Sequence, residues 1–180
     1  MMGLCEYCPL VERYVCIPIP FEPDFLESSR LNKFGLKCPK ITTLALNGCK
    51  MYTYVRGGDD RPFDFGMLFK VFHELKYVDF SGCTGLTGRE LVTGGGGNNL
   101  EVMILRNCEH LKQVAVEQFI EALIGGHLRL LRHLDISNIK GLALDDGGTQ
   151  RSFRVSPILI QQLLEQRPNF CLVAEFSDPS

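Results

Sequence analysis

The sequence lacks the charge bias that a polyanion would demand. Nineteen basic residues stand against 21 acidic ones among 180, a formal net charge of −2, with no long block of like charges. Nucleic-acid binders carry a basic face, so that class is not expected. No stretch approaches the ~18 uninterrupted apolar residues of a membrane span. The start, Met1-Met2-Gly3-Leu4-Cys5-Glu6, has no basic region followed by a long apolar run, so no secretory leader is expected. His73, His110, His127 and His133 form neither H-x-x-x-H nor H-E-x-x-H, and zinc-protease chemistry has no footing. No Ser/His/Asp or Cys/His set can be assembled from spacing alone, and no cofactor is called for. The expectation is a chain that is not an enzyme.

What the sequence has is a recurring apolar triplet, spaced apolar-x-x-apolar-x-apolar. It occurs as Ile41-Leu44-Leu46, Leu75-Val78-Phe80, Leu100-Met103-Leu105 and Leu131-Leu134-Ile136, with a degenerate copy from Phe170 to Phe176. Three residues further on, the first three copies reach Cys49, Cys83 and Cys108, and the fourth reaches Ile139. A fixed spacing that recurs every few tens of residues marks units that bury their apolar side only against their neighbours. The first triplet residues lie 34, 25, 31 and 39 residues apart, so length variation is expected in the loops.

Between triplets the period changes from two to 3.6, which predicts helices. Val116, Phe119, Ile120, Leu123 and Ile124 make one apolar stripe before Gly125-Gly126. A second helix is expected from the cap Ser156 and Pro157 through Leu159, Ile160, Leu163 and Leu164 to a stop at Pro168. Thr87-Gly88-Arg89-Glu90 has capping-box spacing for a short helix through Leu91-Val92, and Asp64 is expected to cap another that turns Phe65, Leu68, Phe69 and Phe72 inward.

Residues 1–35 read as an irregular segment holding a degenerate repeat around Tyr14-Val15-Cys16-Ile17, with a helix possible only after Phe25, from Leu26 to Leu36, because Pro18, Pro20 and Pro23 precede it. Residues 36–180 form the array. Two insertions, Gly94 to Asn99 and Lys140 to Val155, are expected as loops.

The eight cysteines are even in number, as a disulfide framework would be. However, Cys49, Cys83 and Cys108 share one repeat position. Buried thiols stacked as a ladder suit a reducing compartment, so an intracellular protein, cytoplasmic or nuclear, is expected. Cys5 and Cys8 have half of a zinc-site spacing, but Cys16 and Cys38 follow at no standard interval. No metal site is expected. The four-glycine run precedes a strand and lacks a following lysine, so it is a connector rather than a phosphate loop. Asp145-Asp146-Gly147 is too short for a calcium loop and reads as a turn.

The pattern L-x-x-L-x-L-x-x-C with the lead-ins Cys38-Pro39-Lys40-Ile41 and Arg167-Pro168-Asn169-Phe170 resembles the cysteine-containing leucine-rich repeat. The resemblance covers residues 36 to 176. It implies an α/β leucine-rich-repeat solenoid of about five to six coils, with a parallel concave sheet and helices on the convex side. Such repeats are best known from F-box/leucine-rich-repeat proteins and Zer/Zyg-type receptors, which present substrates to cullin-based ubiquitin ligases. The segment from Leu131 to Ser137 and the stretch Ile160 to Phe170 look most like the Zer/Zyg group. No F-box-like helical module precedes the repeats, so a shortened relative or part of a longer protein is expected.

Alternation along the strands then gives three rows on the face away from the core. They are Thr43, Tyr77, Val102, His133; Ala45, Asp79, Ile104, Asp135; and Asn47, Ser81, Arg106, Ser137. An aromatic, two carboxylates and an arginine on one face suit a protein or peptide segment, with Tyr77 and Arg106 the best anchors. A cullin-ligase component is a further partner that the resemblance implies. The competing expectation is a structural or scaffold segment whose end strands pair within a larger assembly.

Overall fold

The computed structural model describes residues 10, 12–16, 25–27, 36, 38–52, 65–88, 91–92, 99–144, 150–152 and 154–176. In chain order the elements are β1 (Arg13–Cys16), β2 (Phe25–Glu27), β3 (Thr43–Leu46), β4 (Lys50–Tyr52), α1 (Phe65–Val71), β5 (Tyr77–Asp79) and β6 (Val102–Ile104). They continue with α2 (Gln113–Ile124), β7 (His133–Asp135), β8 (Leu142–Ala143), β9 (Arg151–Ser152), α3 (Pro157–Gln166) and β10 (Cys171–Val173). The protein is mixed α/β. Its centre is a six-stranded sheet in the order β1-β3-β5-β6-β7-β10, parallel at every pairing. Parallel neighbours need a crossover, and α1, α2 and α3 lie in three of these connections.

The triplets explain the register. Tyr14, Leu44, Val78, Met103, Leu134 and Leu172 occupy one row across all six strands. All members of the four full triplets are at most 2% exposed, and burying each side chain contributes roughly 1.5–3 kcal/mol before chain entropy is set against it. They share a core with Leu68, Phe69 and Phe72 of the α1 region and with Val116, Phe119, Ile120 and Leu123 of α2. The helices therefore cover the face into which the triplets point. Against α2, α3 inserts Leu163, the one fully buried residue of that helix.

After each of the first three triplets the chain turns through a left-handed residue, Gly48 (φ 71°), Gly82 (φ 69°) and Asn107 (φ 55°), types that tolerate this conformation. The next residue is the buried cysteine. Cys83 donates its S–H to the Leu46 carbonyl at 2.8 Å, and Cys108 donates to the Phe80 carbonyl at 3.2 Å. Each thiol thus ties its own turn to the end of the preceding strand. Beyond the cysteines a second set of main-chain bonds links successive units: Met51 N to Thr84 O, Lys112 N to Thr87 O, and Ala143 N to Leu111 O.

Several expectations are corrected. Ile139 does not extend the cysteine ladder; it is 65% exposed, and Asn138 turns inward instead, donating from Nδ2 to the Cys108 carbonyl at 3.1 Å. Leu26 and Glu27 are extended rather than helical, because β2 pairs with β4, a strand that the triplet pattern gave no sign of. The insertion after Lys140 is not loop throughout, since β8 and β9 form an antiparallel pair. Leu172 stands opposite Leu134, so the last step is 38 residues rather than 39. Ser156 makes no side-chain cap at α3; its N–H donates to Glu117 Oε1 at 3.1 Å, tying the helix start to α2.

The proposed cap at Asp64, Arg89 and Glu90 of the capping box, the run Gly94 to Asn98, the turn Asp145 to Gly148, and Cys5 and Cys8 lie outside the described residues. Among the described residues no helix is long and apolar enough to cross a membrane, no group of three His, Cys, Asp or Glu could hold a metal, and Cys38, Cys49, Cys83, Cys108 and Cys171 are not joined in disulfides.

Candidate functional site

The sheet face opposite the helices carries the three predicted rows. Strand register sets Thr43, Tyr77, Val102 and His133 side by side, and likewise Ala45, Asp79, Ile104 and Asp135. Beyond the strand ends, Gly48 N to Ser81 O, Gly82 N to Arg106 O and Asn107 N to Ser137 O keep Asn47, Ser81, Arg106 and Ser137 in step. The sequence rows omitted both flanks. Arg13 and Val15 extend the first two rows on β1, and Cys171 and Val173 extend them on β10. The resemblance of Tyr14-Val15-Cys16 to a repeat was the available signal for β1, but its phase could not be set from one worn copy.

The rows are not uniformly open. Tyr77, Val102, Ile104, His133 and Asp79 are half-buried and Arg106 is exposed, whereas Ala45, Ser137 and Asp135 are buried. Asp135, only 2% exposed, shares the motif Asp-x-Ser with the half-buried Asp79. In Asp135-Ile136-Ser137 the carboxylate accepts the Ser137 N–H at 2.9 Å, and in Asp79-Phe80-Ser81 it accepts the Ser81 N–H at 2.9 Å and the Ser81 hydroxyl at 2.6 Å. Each carboxylate folds back on the residue two ahead and closes the turn after its strand.

Each carboxylate also receives a side chain from the preceding strand's exit, at the equivalent position. Asn47 Nδ2 donates to Asp79 Oδ2 at 3.1 Å. Arg106 donates to Asp135 Oδ2 from Nη2 at 2.6 Å and from Nε at 3.2 Å. Burial pushes the Asp135 carboxyl up, but the Ser137 N–H and hydroxyl and the Arg106 guanidinium outweigh it and hold the pKa below the ordinary value. The Tyr77 phenol is pushed up by burial and then by the Asp79 charge, against a smaller opposing effect from Arg13.

Asp79 and Asp135 sit two strands apart, about 10 Å at sheet spacing. Both close the turn after their strand. The thiols are no better placed for chemistry: burial, first, pushes Cys108 up to about 12, and Cys83 is pushed up as well, so the nucleophilic thiolate is suppressed. What the face can do is offer half-buried aromatic and aliphatic groups beside fixed charges.

No protein-family model matches the chain. Among curated proteins it is similar to the F-box protein At4g02760 of Arabidopsis thaliana, 30% identical over 180 residues that take in 98% of this chain and 33% of that protein. It is also similar to the F-box protein SKIP17 of the same plant, 30% identical over 186 residues, 99% of this chain and 36% of that protein. The chain therefore spans about a third of the length of the curated relatives it matches, and within that third its likeness to F-box proteins runs almost from end to end.

Proposed function

We propose that the chain is a non-catalytic protein-recognition module of the leucine-rich-repeat type, acting as the substrate-binding part of an F-box-type receptor in a cullin-based ubiquitin ligase. The observation that carries this reading is the nearly end-to-end likeness to two F-box proteins. The repeat assignment is supported by a parallel sheet whose strands join in chain order and bury equivalent residues. Recognition would rest on the face bearing Tyr77, Val102, Ile104 and Arg106, where a few anchors can supply most of the binding energy. Both relatives bear the F-box name, which favours that group over the Zer/Zyg one. Proximity labelling by the chain in cells is expected to enrich cullin-ligase components, and a labelled set without them would remove the ligase role.

A second reading, a scaffold segment of a larger assembly, is favoured by one observation. On α3, Ile158 is 69% exposed and Leu164 41%, and β10 pairs only with β7 among the described residues. An open strand edge beside an apolar helix face favours association. Solution mass separates the two: a concentration-dependent oligomer supports the scaffold, and a monomer at all concentrations supports the recognition module.

A further inference from the structure

The molecule contains its own template for what belongs on Asp79. Asp79 and Asp135 lie in one register row, close the same Asp-x-Ser turn, and each accepts a side chain from the preceding strand's exit. At Asp135 that side chain is a guanidinium, Arg106. At Asp79 it is the neutral amide of Asn47. The other donors to Asp79 are the neutral N–H and hydroxyl of Ser81, and its neighbours in the row, Ala45 and Ile104, are uncharged. Asp79 is thus half-buried with no ion pair among the described residues.

The surroundings tell which cation is missing. Arg106 is hydrogen-bonded to Asp135 and feels the Asp79 charge only as a smaller effect, and Arg13 lies two strands away on β1. Ala45 on one side of Asp79 is small and uncharged, while Tyr77 stands two residues earlier on the same strand and Ile104 follows in the row. A long basic side chain fits this arrangement. Its charged end can bind the carboxylate, its methylenes can lie along Ile104, and the Tyr77 ring is close enough in sequence and face to stack on a guanidinium. Specificity in such a pair comes from charge complementarity.

We infer that Asp79, with Tyr77 and Ile104, forms a subsite for an arginine side chain of an extended partner segment. The inference rests on the reading of this face as a recognition surface and deepens it by naming the partner's chemistry. The partner's arginine would stand on Asp79 as Arg106 stands on Asp135.

The test uses the purified full chain and a fluorescein-labelled extended peptide with a central arginine flanked by aliphatic residues, against the same peptide carrying citrulline, a neutral isostere, or glutamate. Fluorescence polarisation at low salt should show the arginine peptide bound about tenfold or more tighter than the citrulline one, the worth of one charge-assisted pair. Asp79→Asn should erase that difference. Asn47→Arg should also erase it, by supplying the guanidinium from within, with the circular-dichroism melting transition retained, so the test stands even if Asp79→Asn does not fold. Glu165→Gln on α3 should change nothing. Equal binding of the arginine and citrulline peptides to the native chain, or undiminished arginine preference in Asn47→Arg, overturns the inference. If proximity labelling recovers ligase components while the peptides show no charge preference, the inference alone falls. If charge-selective binding persists without ligase components, the ligase role falls and the subsite stands.

Discussion

The thiol of Cys83 donates to the main-chain oxygen of Leu46 across 2.8 Å, although 37 residues separate the two in the chain. The bond links consecutive units at the point where each strand gives way to its turn, and Cys108 repeats it on Phe80. Cys83→Ala removes a donor and leaves a small void in a region with no exposure, so it should cost about 1–3 kcal/mol. Cys83→Ser keeps a donor and should cost less. Urea unfolding midpoints of the two variants check the order.

The same thiols make the fold sensitive to alkali. Burial raises both above 9.0, Cys108 to about 12, so above about pH 9 the unfolded chain has lost thiol protons that the folded chain retains. Stability contributed by these groups is complete below the unfolded value and declines as pH rises towards the folded one, at up to about 1.4 kcal/mol per pH unit for each thiol. Denaturant titrations from neutral to strongly alkaline pH should show this decline. The Cys83→Ser/Cys108→Ser variant should flatten it.

Gly85 and Gly82 both have positive φ, 86° and 69°, yet their substitutions should differ. A Cβ on Gly85 would collide with the Met51 carbonyl oxygen, whereas one on Gly82 meets nothing closer than Gly48 Cα at 3.6 Å. Gly82→Ala should cost the conformational strain alone, ~1–2 kcal/mol. Gly85→Ala should exceed this, because the bond from Met51 N to Thr84 O must move with the displaced backbone. Thermal melting of the pair checks it.

Arg106 supports Asp135 in acid. A carboxyl held below its ordinary pKa contributes stability above the unfolded value of 3.8, and this is lost as pH falls through the folded value. Arg106→Gln should raise the Asp135 pKa and shift acid unfolding to higher pH. Carboxyl-carbon NMR titration and the acid-unfolding midpoint report the two effects separately, and an unchanged pKa would show that burial and Ser137 set it without Arg106.

Arg167 bridges the end of α2 to the last strand. Its guanidinium donates to the carbonyls of Leu128 at 3.1 Å and His127 at 2.5 Å and lies 5.9 Å from the Phe170 ring centre. Arg167→Leu should cost about 1–3 kcal/mol through stranded carbonyls. Lysine should not restore it, lacking the planar fork. Burial, and then the Arg167 charge, depress the His127 pKa, so Arg167→Leu should raise it in an imidazole NMR titration.

Much of this architecture was legible because burial leaves a periodic trace. Leu44, Val78, Met103 and Leu134 announce their row by spacing, and Cys49, Cys83 and Cys108 announce the turns. Where the trace was weak the reading slipped. β2 and β4 carry no copy of the apolar triplet, and Asn138 took the inward place that spacing gave to Ile139, donating its amide to the Cys108 carbonyl. Of the candidate site, alternation supplied the four middle strands, while β1 and β10 entered only through pairing.

The sequence by itself determined that the four full triplets go inside, since the apolar spacing admits one core face per strand, and the Gly or Asn before each cysteine admits one turn. Tertiary structure alone decided which polar residues meet. Asn47 reaches Asp79 across 32 positions and Arg106 reaches Asp135 across 29, distances in sequence set by loops of unequal length. No local pattern encodes such a pairing; the parallel register of the sheet creates it, and with it the contrast between a carboxylate bonded to a guanidinium and one bonded to a neutral amide.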